Sequence, residues 1–165
     1  MLTILEYLND RGASPFAAWF GGLDAVAAAK VTTALRRLEL GNFSNGATTR
    51  SGNPGRSDMP LTREFKETVQ ARIQTDRKYR KELLREGVEC LLAGDLDTGK
   101  AILRDYINAT IGFEELSRRT KRPAKSLMRM LSPSGNPQAR NLFEVIQHLQ
   151  KVEGLHFELS LRPAS

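Results

Sequence analysis

The stretch Phe113-Glu-Glu-Leu-Ser-Arg-Arg-Thr-Lys-Arg-Pro-Ala-Lys-Ser-Leu-Met-Arg-Met-Leu131 decides how this chain reads. Its apolar residues are few and set for two short helices. Leu116 would be the buried residue of the first; Leu127, Met130 and Leu131, at intervals of three and four, those of the second. Pro123 interrupts the pattern, because its ring disfavours helical geometry at Arg122 yet suits the first turn of a new helix. Two short helices packed steeply across a tight turn are a helix-turn-helix, expected over roughly residues 112–131. The alternative is a plain helical hairpin with a basic face.

Charge singles out the same region. The chain has 165 residues and a net charge of +6. Residues 1–58 hold six Lys/Arg and five acids, so +5 falls in the remainder. Arg118, Arg119, Lys121, Arg122, Lys125, Arg129 and Arg140 lie between residues 116 and 143 with no acid among them. A single-sign patch of this size suits a polyanion. On the second helix the outward positions would be Ala124, Lys125, Met128 and Arg129. Arg and Lys reach guanine edges in a major groove, and small or apolar side chains touch thymine methyls. Arg118, Arg119, Lys121 and Arg122, with Arg140, would sit nearer the backbone and contact phosphates.

Around this stretch the sequence predicts a mainly α chain. Phe65, Val69 and Ile73 repeat at four residues behind a cap at Thr62. Tyr79, Leu83, Leu84, Val88, Leu91 and Leu92 form a stripe closed by Gly94. Asp97 is expected to cap a helix carrying Ile102, Tyr106 and Ile107 and ending near Gly112. Leu142, Val145, Ile146, Leu149 and Val152 line a last helix closed by Gly154. Leu155, Phe157, Leu159 and Leu161 then alternate with His156, Glu158, Ser160 and Arg162, the period of a short C-terminal strand.

Residues 1–45 read strand, short helix, longer helix. Leu2 to Leu8 is β-prone, and Ser14-Pro15 is a helix start followed by Phe16, Trp19 and Phe20 on one face. A second helix from about Asp24 to Leu40 shows Ala27, Val31, Ala34, Leu35 and Leu38 as its stripe. A lone strand with two helices leaves its edges unpaired, so this piece reads as incomplete. Gly46 to Asp58 is rich in Gly, Ser, Thr and Pro and reads as a flexible linker, placing a boundary near residue 58.

Several functions are disfavoured. No stretch approaches the roughly 20 apolar residues that span a bilayer, and the N-terminus lacks the marks of a signal peptide, so a cytoplasmic protein is expected. Cys90 is the only cysteine and has apolar neighbours, which predicts a buried structural thiol. Two histidines and one cysteine, scattered, give no metal spacing, and no cofactor is expected. Gly99-Lys100 superficially suggests a phosphate loop, but Ala101 follows where Ser or Thr belongs and no strand precedes it.

Residues 59–165 resemble the addiction-module antidote family, antitoxins of HigA type with a lambda-repressor-like (Xre) helix-turn-helix. The resemblance rests on Met59-Pro-Leu-Thr-Arg-Glu-Phe-Lys-Glu-Thr, Ala93-Gly-Asp-Leu-Asp-Thr-Gly-Lys-Ala, Leu103-Arg-Asp-Tyr-Ile-Asn-Ala-Thr, Lys125-Ser-Leu-Met-Arg-Met-Leu-Ser-Pro-Ser-Gly-Asn-Pro137 and Leu142-Phe-Glu-Val-Ile. It implies a dimer that represses its own operon and binds a partner toxin. It places Lys125, Ser126, Met128 and Arg129 on the recognition helix, and Asn136 and Asn141 against phosphates in the loop and helix start that follow. Lys121-Arg122 departs from the family, which usually has Gly and an apolar residue there.

Residues 1–45 resemble the start of a RelE/HigB-like killer toxin, through Ser14-Pro-Phe-Ala-Ala-Trp-Phe-Gly-Gly-Leu-Asp-Ala and Ala29-Lys-Val-Thr-Thr-Ala-Leu-Arg-Arg-Leu-Glu-Leu-Gly-Asn-Phe-Ser-Asn45. That resemblance implies an incomplete β-α-α fragment of a RelE-like fold, truncated before the strands that carry the family's RNA-cleaving residues. Residues 1–58 hold no His and one Tyr, too little for general acid–base cleavage. The expectation is therefore not an enzyme but a DNA-binding antitoxin-type regulator with a toxin remnant. A toxin-neutralising interaction module with little DNA binding is the alternative, and an mRNA-cleaving toxin a distant second.

Overall fold

Four of the eight helices among the described residues of the computed structural model start on a side-chain cap; the structure describes residues 2–41, 62–161 and 163. Strand β1 spans Leu5–Tyr7, and helices α1 and α2 span Pro15–Gly22 and Ala25–Glu39. Strand β2 (Thr62–Glu64) precedes α3 (Phe65–Thr75), α4 (Arg77–Leu92), α5 (Leu96–Ala109), α6 (Gly112–Thr120), α7 (Ala124–Met130) and α8 (Ala139–Glu153). The Ser14 hydroxyl accepts the Ala17 N–H at 2.9 Å ahead of Pro15, and the Asp24 carboxylate accepts that of Ala27 at 3.0 Å. Asp76 caps α4 in the same way through Tyr79. The cap of α5 is Asp95, whose carboxylate accepts the Thr98 N–H at 3.3 Å, two residues earlier than expected; Asp97 lies within the first turn and reaches Lys100 at 3.1 Å. Gly112 opens α6 rather than ending α5.

The N-terminal strand is not left unpaired. β1 runs antiparallel to β2, with Leu5 opposite Glu64, Glu6 opposite Arg63 and Tyr7 opposite Thr62. Thr62 is thus a strand residue and not the cap of α3, whose capping position is Glu64. Pairing alone would be marginal for three residues a side; a shared core supplies the rest. Phe20, Ala28 and Ala29 join Phe65, Val69, Ile73, Tyr79, Leu83, Cys90, Ile102 and Ala109 in one buried cluster. The Phe20 ring meets Tyr79 edge-on at 5.7 Å. The Arg72 guanidinium lies 5.0 and 4.9 Å from those two ring centres and donates to the Phe20 and Leu23 carbonyls. The expected linker, 46–58, lies outside the described residues.

Helix α2 is rotated from the face its apolar residues suggest. Its buried positions are Ala28, Ala29, Thr32, Thr33, Arg36 and Glu39, while Ala34 and Leu38 are exposed and Ala27, Val31 and Leu35 half-buried. The cause is a polar contact surface on α4 and α5. Thr32 and Tyr79 share a hydrogen bond of 2.8 Å. Arg36 pairs with Glu39 at 2.5 Å and with Asp105 across the interface. Arg37 meets Asp95 at 2.7 Å, and Lys30 meets Glu86 at 3.7 Å. Below the sheet, Glu6 turns inward to Arg63 at 3.0 Å, leaving Leu5 and Tyr7 facing out. Charges desolvated in this way are costly unless matched, so they demand one arrangement rather than a loose collapse.

A second cluster underlies the region of the decisive stretch. Leu84, Leu103, Tyr106 and Ile107 pack with Phe113, Leu116, Leu127, Leu131, Leu142, Val145, Ile146 and Leu149. Each large apolar side chain removed from water in this way contributes about 1.5–3 kcal/mol. α4 and α5 serve both clusters and approach closely through glycines. A Cβ on Gly99 would lie 2.6 Å from Leu91, and one on Gly87 2.9 Å from Ile102. Gly99 is therefore a helix-crossing residue inside α5. Cys90 is buried as expected, and burial raises its thiol pKa.

The expected C-terminal strand is absent. After Gly154, whose left-handed φ of 63° ends α8, residues 155–161 join no ladder. Leu155 and Phe157 pack against the second cluster, but Leu159 and Leu161 are exposed. The alternation is present, but among the described residues no strand edge lies beside it.

Candidate nucleic-acid interface

Three residues, 121–123, join α6 to α7. Lys121 adopts left-handed backbone (φ 54°, ψ 33°), the conformation that normally selects glycine. The Ser117 hydroxyl donates to the Arg122 carbonyl at 2.5 Å, and the Arg122 N–H bonds the Ser117 carbonyl at 3.3 Å. Pro123 is extended (φ −56°, ψ 134°) and stands one position before the first helical residue, not within the first turn. Leu116, Leu127 and Leu131 point into the core and Met130 is half-buried. Lys125, Ser126, Met128 and Arg129 consequently share the exposed side of α7, whereas Ala124, expected outward, is half-buried against the second cluster.

The basic residues divide into two groups. Arg118 and Arg119 both engage Glu115 on their own helix, at 3.0 and 2.8 Å. The Arg119 hydrogen bond, and then the Arg118 charge, hold the Glu115 carboxyl below its ordinary pKa. Arg122 donates through Nε and Nη2 to one Glu144 oxygen, at 3.0 and 2.9 Å, tying the turn to α8. The acid-free window is thus bracketed by two acids that occupy three of its arginines. Lys121, Lys125, Arg129 and Arg140 are exposed and have no acidic partner among the described residues.

A shallow groove of about 730 Å³ runs between α7 and the start of α8. It brings together Arg122, Ser126, Arg129, Asn136 and Asn141 from the predicted set; Arg118, Arg119, Lys121, Lys125, Met128 and Arg140 lie outside its lining. Backbone contact shapes the groove. A Cβ on Gly135 would fall 2.3 Å from the Arg129 carbonyl oxygen and 2.4 Å from that of Met130, so the loop can cross the end of α7 only with glycine.

Two supports were not foreseen. Lys100, only 4% exposed, reaches from α5 to donate to the Pro133 and Gly135 carbonyls at 3.2 and 2.7 Å. Its spacing of three and seven residues from the buried Leu103 and Ile107 is the signal that would have placed it inward. Glu144 gave no comparable signal. Among the described residues no helix is long and apolar enough to cross a membrane. Comparison with family models, curated proteins and solved structures returns no significant match to this chain.

Proposed function

We propose that the chain is a DNA-binding transcriptional regulator of the antitoxin kind, acting in the cytoplasm and reading its own operator through α7. The observation that carries this reading is the outward set Lys125, Ser126, Met128 and Arg129 on a short helix, flanked by Lys121 and Arg140, which have no acidic partner among the described residues. Arg129 and Lys125 suit base edges. Lys121 and Arg140, with Asn136 and Asn141, suit phosphates. Arg118, Arg119 and Arg122 are secondary, because each must leave a carboxylate to reach DNA. The resemblances extend the proposal to a homodimer on a two-fold operator and to a RelE/HigB-like partner toxin, with residues 1–45 an inactive toxin remnant.

A gel shift with the DNA upstream of its own coding sequence tests the reading. Arg129→Ala should weaken binding by about 1–3 kcal/mol, roughly 5- to 150-fold. Arg118→Ala, on α6 and outside the outward face of α7, should weaken binding less than Arg129→Ala does. Undiminished affinity of Arg129→Ala would count against the reading.

The interaction-module alternative draws on a different observation: residues 2–41 already dock on α3, α4 and α5 through matched charges. Co-purification of a full-length toxin with a chain that binds no promoter DNA would favour it.

A further inference from the structure

Where residues 2–41 meet the rest, a cleft of about 480 Å³ opens between α2, α3, α5 and the loop after α7. This volume is in the range of small-molecule sites. Two neighbouring helices present the same pair of groups to it. On α3, Lys66 and Gln70 lie four residues apart; on α5, Arg104 and Asn108 do the same. That spacing puts each pair on one helix face. The two acids in the lining are already matched, Asp97 by Lys100 and Asp105 by Arg36. Lys66 and Arg104 have no acid within ion-pair distance among the described residues. Behind them, Arg36 is 3% exposed, lines the cleft, and keeps a buried Nε with no hydrogen-bond partner among the described residues.

We propose that this cleft binds a small phosphate-type dianion, free or carried by a metabolite, between Lys66 and Arg104, with the Gln70 and Asn108 amides as further donors. Two cations and two neutral donors lining one cleft are the complement of a tetrahedral oxyanion. The site exists only in the joined chain, because α2 supplies one wall. It has a route to α7, since Lys100, one turn before Arg104, holds the Pro133–Gly135 loop. The proposal does not depend on the DNA-binding reading.

The test uses the full chain in phosphate-free buffer, titrated with inorganic phosphate and, at equal ionic strength, with sodium chloride. Thermal melts and calorimetry should show a saturable response to phosphate that chloride does not give. Lys66→Gln combined with Arg104→Gln, the first half-buried and the second exposed, should weaken phosphate binding at least tenfold. The same variant should keep its affinity for the upstream DNA within twofold. A phosphate response no larger than chloride, or one unaltered in the variant, overturns the proposal. A parallel loss of DNA affinity would assign the cleft to the DNA backbone and overturn it equally. A chain that bound no DNA at all would still give a decisive phosphate result.

Discussion

Lys121 holds a left-handed backbone without glycine's freedom. Such a conformation costs an ordinary residue about 1 kcal/mol, so Lys121→Gly should raise stability by about that amount in denaturant unfolding. The same change removes an exposed cation and should lower the salt dependence of DNA binding by about one counterion. Stability and affinity would move in opposite directions, as expected of strain kept at a binding surface. Arg36 is a different case. It is buried against Glu39 and Asp105, and burial pushes the Asp105 carboxyl above its ordinary pKa even beside the guanidinium. Arg36→Met leaves both carboxylates in a poorly solvated place and should cost about 3–5 kcal/mol. A loss below about 1 kcal/mol would show that water reaches the interface.

Helices α4 and α5 cross through Gly87 and Gly99, and the loop after α7 crosses it through Gly135. Gly99→Ala should destabilise by about 1–3 kcal/mol through overpacking against Leu91. Gly135→Ala meets backbone instead of side chain and should displace the loop, reducing DNA affinity more than global stability. Thermal melts beside binding curves separate the two. Caps and stripes made many of these elements legible in advance: Ser14, the helix start at Asp24 and Phe65/Val69/Ile73 lie where their local chemistry puts them, and Pro123 breaks the helix, though one position before the first turn it was expected to join. Three features were not legible. The rotation of α2 depends on Asp95, Asp105 and Tyr79, which are far away in sequence. The partner of β1 lies beyond the expected linker. The alternation of residues 155–161 describes a side-chain pattern, and a strand also needs a neighbouring edge. For the interface, the exposure of Lys125, Met128 and Arg129 followed from spacing alone. The occupation of Arg118, Arg119 and Arg122 by Glu115 and Glu144 did not, because charge counting within a window ignores the acids just outside it.

The two clusters share α4 and α5, and residues 2–41 contribute Phe20, Ala28 and Ala29 to one of them. Removing residues 1–58 would uncover Phe65, Val69, Ile73 and Tyr79, each worth about 1.5–3 kcal/mol of burial. The 59–165 fragment should therefore melt without a sharp transition or self-associate, whereas a sharp transition at the full-length temperature would mean that the N-terminal segment is dispensable. Acid should loosen the molecule at defined joints. Burial raises the Asp95 and Asp76 carboxyl pKa values, but hydrogen bonds from Arg37 and Thr98 on the one, and from Tyr79 and Arg72 on the other, outweigh it and leave both below the ordinary value. A depressed folded pKa gives stability that is complete above the unfolded value near 3.9 and lost as pH falls below it. Melting temperatures should accordingly show no loss from these two groups between about pH 7 and 5 and drop below about pH 4, with a shallower acid limb in Asp95→Asn.

The affinity of the full chain for its upstream DNA, measured as a function of salt, bears most directly on the surface around α7. Lys121 and Arg140, the two cations set for phosphates, have no acidic partner among the described residues, so the logarithm of the association constant should fall against the logarithm of salt with a slope of about −1.8 or steeper per protomer. Binding that is absent at low salt, or that persists unchanged as salt rises, would contradict a DNA-reading role for this helix.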